Sequence, residues 1–219
     1  MIRNIVFGGC SITWGQSLHY HANFNDDIHP RDGFFYEDLI KSWHYQYMVD
    51  NRFSTKVADY FGRKAIVNAR NGGSNLQISE GIWNNVNEYT DLILIQTTNF
   101  SRGNNKIKEQ IDSFLDIIEK FEKKNILVRF IHWDIKYINF PEKILDRTIY
   151  INNEISFSNL IFNKKSKLTI KYSFGFEDYH FNQQGHDFMA SEIIKYLSDY
   201  LEIPKYKKTL KNNIKNRLI

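Results

Sequence analysis

Apolar positions alternate along this chain between two kinds of run. Ile2–Phe7 is a short apolar stretch ending in Gly8-Gly9, and Ala65–Asn68 is a second short one. Asp91–Thr97 (DLILIQT) holds four consecutive branched apolar residues, the pattern of a strand covered on both faces. Asn125–Trp133 (NILVRFIHW) is a further strand candidate, and Arg147–Ile151 a weaker fifth. Between them the period lengthens. Phe53–Tyr60 carries Phe53, Val57 and Tyr60 or Phe61 at helical spacing. Lys106–Lys123 sets Ile107, Ile111, Phe114, Leu115, Ile118 and Phe121 on one side, with charges opposite. Gln183–Leu201 repeats Met189, Ile193, Leu197 and Leu201 at four-residue steps. Strands alternating with helices predict a three-layer α/β/α sandwich around a mostly five-stranded parallel sheet. Active sites of such sheets lie beyond the carboxyl ends of the strands, so the segments following each strand carry the candidate chemistry.

Composition narrows the class. The 219 residues suit one domain, expected over 1–203, with an aromatic-rich insertion at about 17–52 and a basic tail at 204–219. Hydrophobic residues at 42% supply a sizeable core. The net charge of +4 is uneven: Lys205–Ile219 alone carries five Lys and one Arg with no acid, so the remainder is at −2. The folded body is therefore not a basic nucleic-acid surface, and the tail reads as solvated or packed on a partner. Cys10 is the single cysteine, which excludes an internal disulfide. No stretch approaches the roughly 20 apolar residues of a membrane span, and the N-terminal apolar run is too short for a signal peptide. A soluble, cytoplasmic protein is expected.

Four segments follow the strands. Gly8-Gly9-Cys10-Ser11-Ile12-Thr13-Trp14-Gly15 turns sharply out of the first, and a serine hydroxyl there meets backbone N–H groups suited to negative charge. A helix N-cap is the other serine role at such a place. The segment matches neither G-x-G-x-x-G nor the Walker pattern. Asn71-Gly72-Gly73-Ser74-Asn75 is a tight turn, and Thr97-Thr98-Asn99-Phe100-Ser101-Arg102 offers an amide donor beside a cation. Glu177-Asp178-Tyr179-His180 places carboxylates two and three residues before a histidine, where one can fix the ring's tautomer.

Together these blocks resemble the SGNH, or GDSL-like, hydrolase superfamily over residues 5 to 190. Gly9-Cys10-Ser11-Ile12-Thr13-Trp14-Gly15 looks like GDSIT-x-G, and Asn71-Gly72-Gly73-Ser74-Asn75 like the glycine block. Thr97-Thr98-Asn99 stands where the family has G-x-N. Asp178-Tyr179-His180-Phe181-Asn182-Gln183-Gln184-Gly185-His186 resembles D-x-H-P-N-x-x-G-H. Cys10 departs from the usual Asp, Thr97 from Gly and Phe181 from Pro. The resemblance implies a serine esterase with Ser11 as nucleophile and His180 as base. Asp178 would be the orienting acid, with Glu177 as alternate. Oxyanion donors would come from the Ser11 and Gly72 backbone and the Asn99 side chain. Trp14 and Arg102 are substrate-binding candidates, and neither a cofactor nor a metal is required.

The expected substrate is an O-acyl ester, such as the O-acetyl group of a carbohydrate or small metabolite. An O-acetyl transferase with the same machinery, or an inert binding module on this fold, are the competing classes. The insertion contains His19, Tyr20, His21, Phe24, His29, Phe34, Phe35, Tyr36, Trp43, His44, Tyr45 and Tyr47, suited to a lid, a pocket lining or a helical side layer. His19, His21 and His29 lack a further ligand at zinc spacing. Neither sequence feature sets the oligomeric state.

Overall fold

A computed structural model describes residues 2–15, 43–69, 72–102, 106–133, 138–151 and 180–202. The elements in chain order are β1 (Asn4–Gly9), α1 (Ser11–Trp14), α2 (Trp43–Asn51), α3 (Phe53–Tyr60), β2 (Lys64–Ala69), α4 (Asn75–Asn85), β3 (Thr90–Thr97), α5 (Ile107–Glu122), β4 (Leu127–His132), α6 (Glu142–Leu145) and α7 (Gln183–Leu197). The sheet runs β2-β1-β3-β4, every pair parallel.

Period-two alternation splits each strand between two cores. Ile5, Phe7, Leu92 and Leu94 face a layer built by Phe53, Val57 and Phe61 with Met189, Ile193 and Leu197 of α7. Val6, Ile93, Ile95, Val128 and Phe130 face the opposite layer, where Ile78 and Ile82 of α4 meet Phe114, Ile118 and Phe121 of α5. Helices on both faces are what a parallel sheet needs, since right-handed crossovers return over it.

Three expectations are adjusted. β1 extends through Gly8 and Gly9 instead of stopping before them, because those residues keep the ladder with Asn68 and Ala69. The expected fifth strand, Arg147–Ile151, is reduced to a parallel bridge between Phe130 and Thr148, so the sheet has four strands among the described residues. The cause is local: the N–H groups of Arg147 and Thr148 are spent on the turn after α6, bonding Ile144 O and Leu145 O. Phe130 N–H donates to Arg147 O, and Ile149 N–H donates to Phe130 O, which completes the bridge. In α5 the expected apolar face is shifted: Ile107 is exposed, while Gln110 is fully buried. Of the aromatic insertion, Trp43–Asn51 is helical, and His19 to Tyr36 lie outside the described residues, as does the basic tail. Among the described residues no helix is long and apolar enough to cross a membrane.

Candidate active site

Ser11 opens α1 directly after β1, with Cys10 in extended conformation ahead of it. The turn is tight because Gly9 has no side chain: a Cβ there would stand 2.1 Å from Thr13 Oγ1. Gly15 ends the helical turn in the left-handed region at φ 90°, donating to Ser11 O and Ile12 O.

A residue missed in the sequence reading clamps this turn. Gln96 of β3 is 1% exposed. Its Oε1 accepts from the Thr13 N–H at 3.1 Å and from the Thr13 hydroxyl. Its Nε2 donates to Cys10 Sγ at 3.0 Å and to Thr97 O at 3.5 Å. The signal was present: Gln96 is the polar residue near the end of the run LILIQT, on a strand buried on both faces.

His180 lies across from Ser11, its Nε2 3.0 Å from Ser11 Oγ. Two features of the chain after it fix that position. Asn182 caps α7, its side chain accepting from Gly185 N–H at 2.9 Å. Buried His186, one turn further, accepts at Nδ1 from the Phe53 N–H at 3.2 Å and stacks on Phe53 at 5.9 Å. The histidine thus supplies an orphan N–H at the start of α3 with its acceptor and ties α7 to α3. Phe181, which stands where the GDSL-like pattern has proline, is buried against His186 in edge contact. Asp178 and Glu177 lie outside the described residues, as does the Trp14 side chain.

The second and third blocks are stapled together. Gly72 has φ +72°, a left-handed conformation that glycine adopts without strain, and space around it is open. Ser74 caps α4 in a capping box with Gln77. Fully buried Asn75 then reaches to the loop after β3: its Oδ1 accepts from Thr98 N–H at 2.8 Å and its Nδ2 donates to Thr98 O at 3.2 Å. The same Nδ2 donates to Gln110 Oε1 at 2.8 Å, and Gln110 donates to Phe100 O at 2.8 Å. The turn that follows holds Asn99, exposed, with its Oδ1 occupied by the backbone and hydroxyl of Ser101 at 2.9 and 2.8 Å. That engagement leaves the amide's two N–H donors without a partner among the described residues.

Thr97 also has a definite role. It hydrogen-bonds His132 Nδ1 at 3.1 Å, while His132 Nε2 meets Thr148 Oγ1 at 3.0 Å. Thr148 spends its hydroxyl proton on Ile144 O at 3.1 Å, so it accepts from His132, which carries its proton on Nε2. Burial pushes the His132 pKa down to about 3, keeping the ring neutral.

The chain has the SGNH, or GDSL-like, hydrolase fold. A lipolytic protein of the G-D-S-L family from Desulfitobacterium hafniense is similar at TM-score 0.55 and 10% identity, over 88% of this chain and 98% of that one. A lipase/acylhydrolase from Enterococcus faecalis is similar at TM-score 0.52 and 14% identity, over 93% of this chain and 100% of its own. A carbohydrate esterase family 2 enzyme with a carbohydrate-binding domain, from Corynascus thermopiles, is similar at TM-score 0.52 and 13% identity, over 90% of this chain and 66% of that one. At those identities the likeness is one of fold. No protein-family model matches the chain, and no curated protein matches it.

Proposed function

We propose that this protein is a serine hydrolase that cleaves an O-acyl ester through Ser11 and His180. The observation that carries the reading is the 3.0 Å approach of His180 Nε2 to Ser11 Oγ, made by two residues 169 positions apart on a fold shared with esterases and acylhydrolases. Nothing in core packing calls for a serine and a histidine to meet at the carboxyl edge of a sheet. A nucleophile and its general base require that distance.

In the proposed cycle His180 Nε2 takes the Ser11 hydroxyl proton as Oγ bonds to the ester carbonyl carbon. The oxyanion is held by the backbone N–H groups of Ser11 and Gly72 and by the Asn99 amide. The carbonyl re-forms, the alcohol leaves, and His180 returns the proton to it. Water then attacks the acyl-enzyme with His180 again as base, releasing the acid and restoring Ser11. Asp178, with Glu177 as alternate, would accept from His180 Nδ1–H, holding the ring so that Nε2 faces Ser11. No step asks for a metal or an organic cofactor. An O-acylated carbohydrate or small metabolite is the substrate class, supported by the carbohydrate esterase that shares the fold.

Ser11→Ala is expected to reduce 4-nitrophenyl acetate hydrolysis to the uncatalysed rate without loss of circular dichroism, and a fluorophosphonate probe is expected to label Ser11 in the unaltered protein. Full activity in the variant, or absence of labelling from pH 6 to 9, overturns the proposal. Separate Asp178→Ala and Glu177→Ala variants identify the orienting acid by the larger fall in kcat. Negligible losses from both would refute that part of the triad.

A further inference from the structure

Arg102 ends the turn that carries Asn99, its backbone N–H donating to Asn99 O at 3.1 Å. Its Nη1 is buried and has no hydrogen-bond partner, and no ion pair among the described residues includes it. The other shielded arginines here each meet a partner. Arg147 grips Glu122 with two bonds of 2.7 Å, and Arg63 meets Asp91 at 2.8 Å. Arg129 also has an unpartnered buried Nε, but it donates from Nη1 to Val128 O at 2.8 Å and its guanidinium lies 4.6 Å over the Tyr200 ring, whereas the Arg102 guanidinium has neither an acceptor nor a ring among the described residues. In the same turn the hydroxyl of Thr98, a fully buried residue, also lacks a partner. Two orphaned polar groups thus flank Asn99 within five residues. Burying an unpaired cationic donor is costly, so a site that keeps one is built for a counter-charge the chain does not itself supply.

We infer that Arg102 binds an anionic oxygen group, carboxylate or phosphate, on the substrate. The guanidinium fork matches two oxygens of such a group. Its position fits a substrate rather than an unrelated ion. The turn leaves β3 at the edge where β1 releases Ser11, the two strands being paired Gly8 to Ile95. An anion at Arg102 would therefore lie beside the Asn99 amide. The inference rests on the hydrolase reading for the word substrate, but the anion site itself does not.

Three esters test it: neutral 4-nitrophenyl acetate, 4-nitrophenyl hemisuccinate with its carboxylate on the acyl side, and 4-acetoxy-3-nitrobenzoate with its carboxylate on the alcohol side. Arg102→Gln is expected to lower the ratio of kcat/KM for one anionic ester over the neutral one by about 10–100-fold, the range for a charge-assisted hydrogen bond. Arg102→Lys is expected to recover part of it, since the charge returns without the fork. The arm that responds tells which side of the ester bears the anion. An unchanged ratio on both arms overturns the inference while leaving ester hydrolysis standing. If no ester is cleaved, succinate and inorganic phosphate are added to the proteins directly. A rise in Tm of about 3–6 °C at ten times Kd, lost in Arg102→Gln, upholds the anion site and isolates the failure in the hydrolase reading. No Arg102-dependent shift with either anion overturns the site as well.

Discussion

Cys10 stands where GDSL-type sequences place an aspartate, and what replaces that acid is a neutral clamp. Gln96 can serve both neighbours because an amide carries an acceptor and a donor on one planar group: the carbonyl oxygen takes two donors from Thr13, the nitrogen gives to Cys10 Sγ and Thr97 O. Neither Glu nor Leu offers that pair. Gln96→Leu would strand the buried Thr13 N–H and hydroxyl at a cost of about 1–3 kcal/mol. It would also release the Ser11 turn from β3. The expected kinetic result is a fall in kcat with KM nearly unchanged, because the nucleophile's aim is disturbed and the substrate's contacts are not. Gln96→Glu keeps the oxygen that Thr13 needs and is expected to recover part of kcat. Measured stability loss with unaltered kcat in Gln96→Leu would show that the clamp serves the core alone.

At the scale of elements, the site is a set of strand ends whose loops are tied to helix starts. Asn75 does this between α4 and the Asn99 turn, so its removal reaches the proposed oxyanion donor without touching it. Asn75→Ala would forfeit the bonds to Thr98 N–H, Thr98 O and Gln110 in a fully buried setting, destabilising the fold by about 1–3 kcal/mol for each buried group left unpaired. Loosening of Asn99 is expected to bring kcat toward the roughly 10²–10³-fold loss typical of one missing oxyanion donor. If kcat holds at a temperature where the variant is fully folded, Asn99 is positioned by other means.

Elements of this kind were legible unevenly. DLILIQT and the four-residue steps from Met189 to Leu197 could be read because burial on both faces, or on one stripe, leaves a strong period. Ser11 and His180 were singled out by four blocks that together resemble GDSL-type sequences, and the structure sets their side chains 3.0 Å apart. The fifth strand was not: Arg147–Ile151 has strand composition, but a helical turn had already claimed its first N–H groups. Gln96, Gln110 and the Thr97–His132–Thr148 chain escaped for a different reason. Each has a side-chain partner 16 to 86 residues away, and a buried amide or imidazole has no sequence period.

Across the whole molecule, stability answers to pH at the fully buried His132. It sits at the end of β4, stacked on Phe140 at 4.4 Å and bonded at both nitrogens to threonine hydroxyls that want a neutral ring. Burial away from water holds its pKa down at about 3, whereas an unfolded histidine titrates near 6.5. Below pH 6.5 the unfolded chain takes up a proton the native state refuses, so the stabilisation is whole above 6.5 and drains as pH falls toward 3. One proton corresponds to a slope of up to about 1.4 kcal/mol per pH unit in that window. His132→Gln removes the titration while keeping an amide able to donate to one threonine and accept from the other. Urea unfolding of both proteins at pH 7, 6, 5 and 4 isolates the effect, since carboxylates and the remaining histidines are common to the pair. The unaltered protein is expected to be the more stable at pH 7, with the gap narrowing or reversing by pH 4. Parallel profiles would mean that His132 charges inside the fold, and that Thr97 and Thr148 do not fix its neutral form.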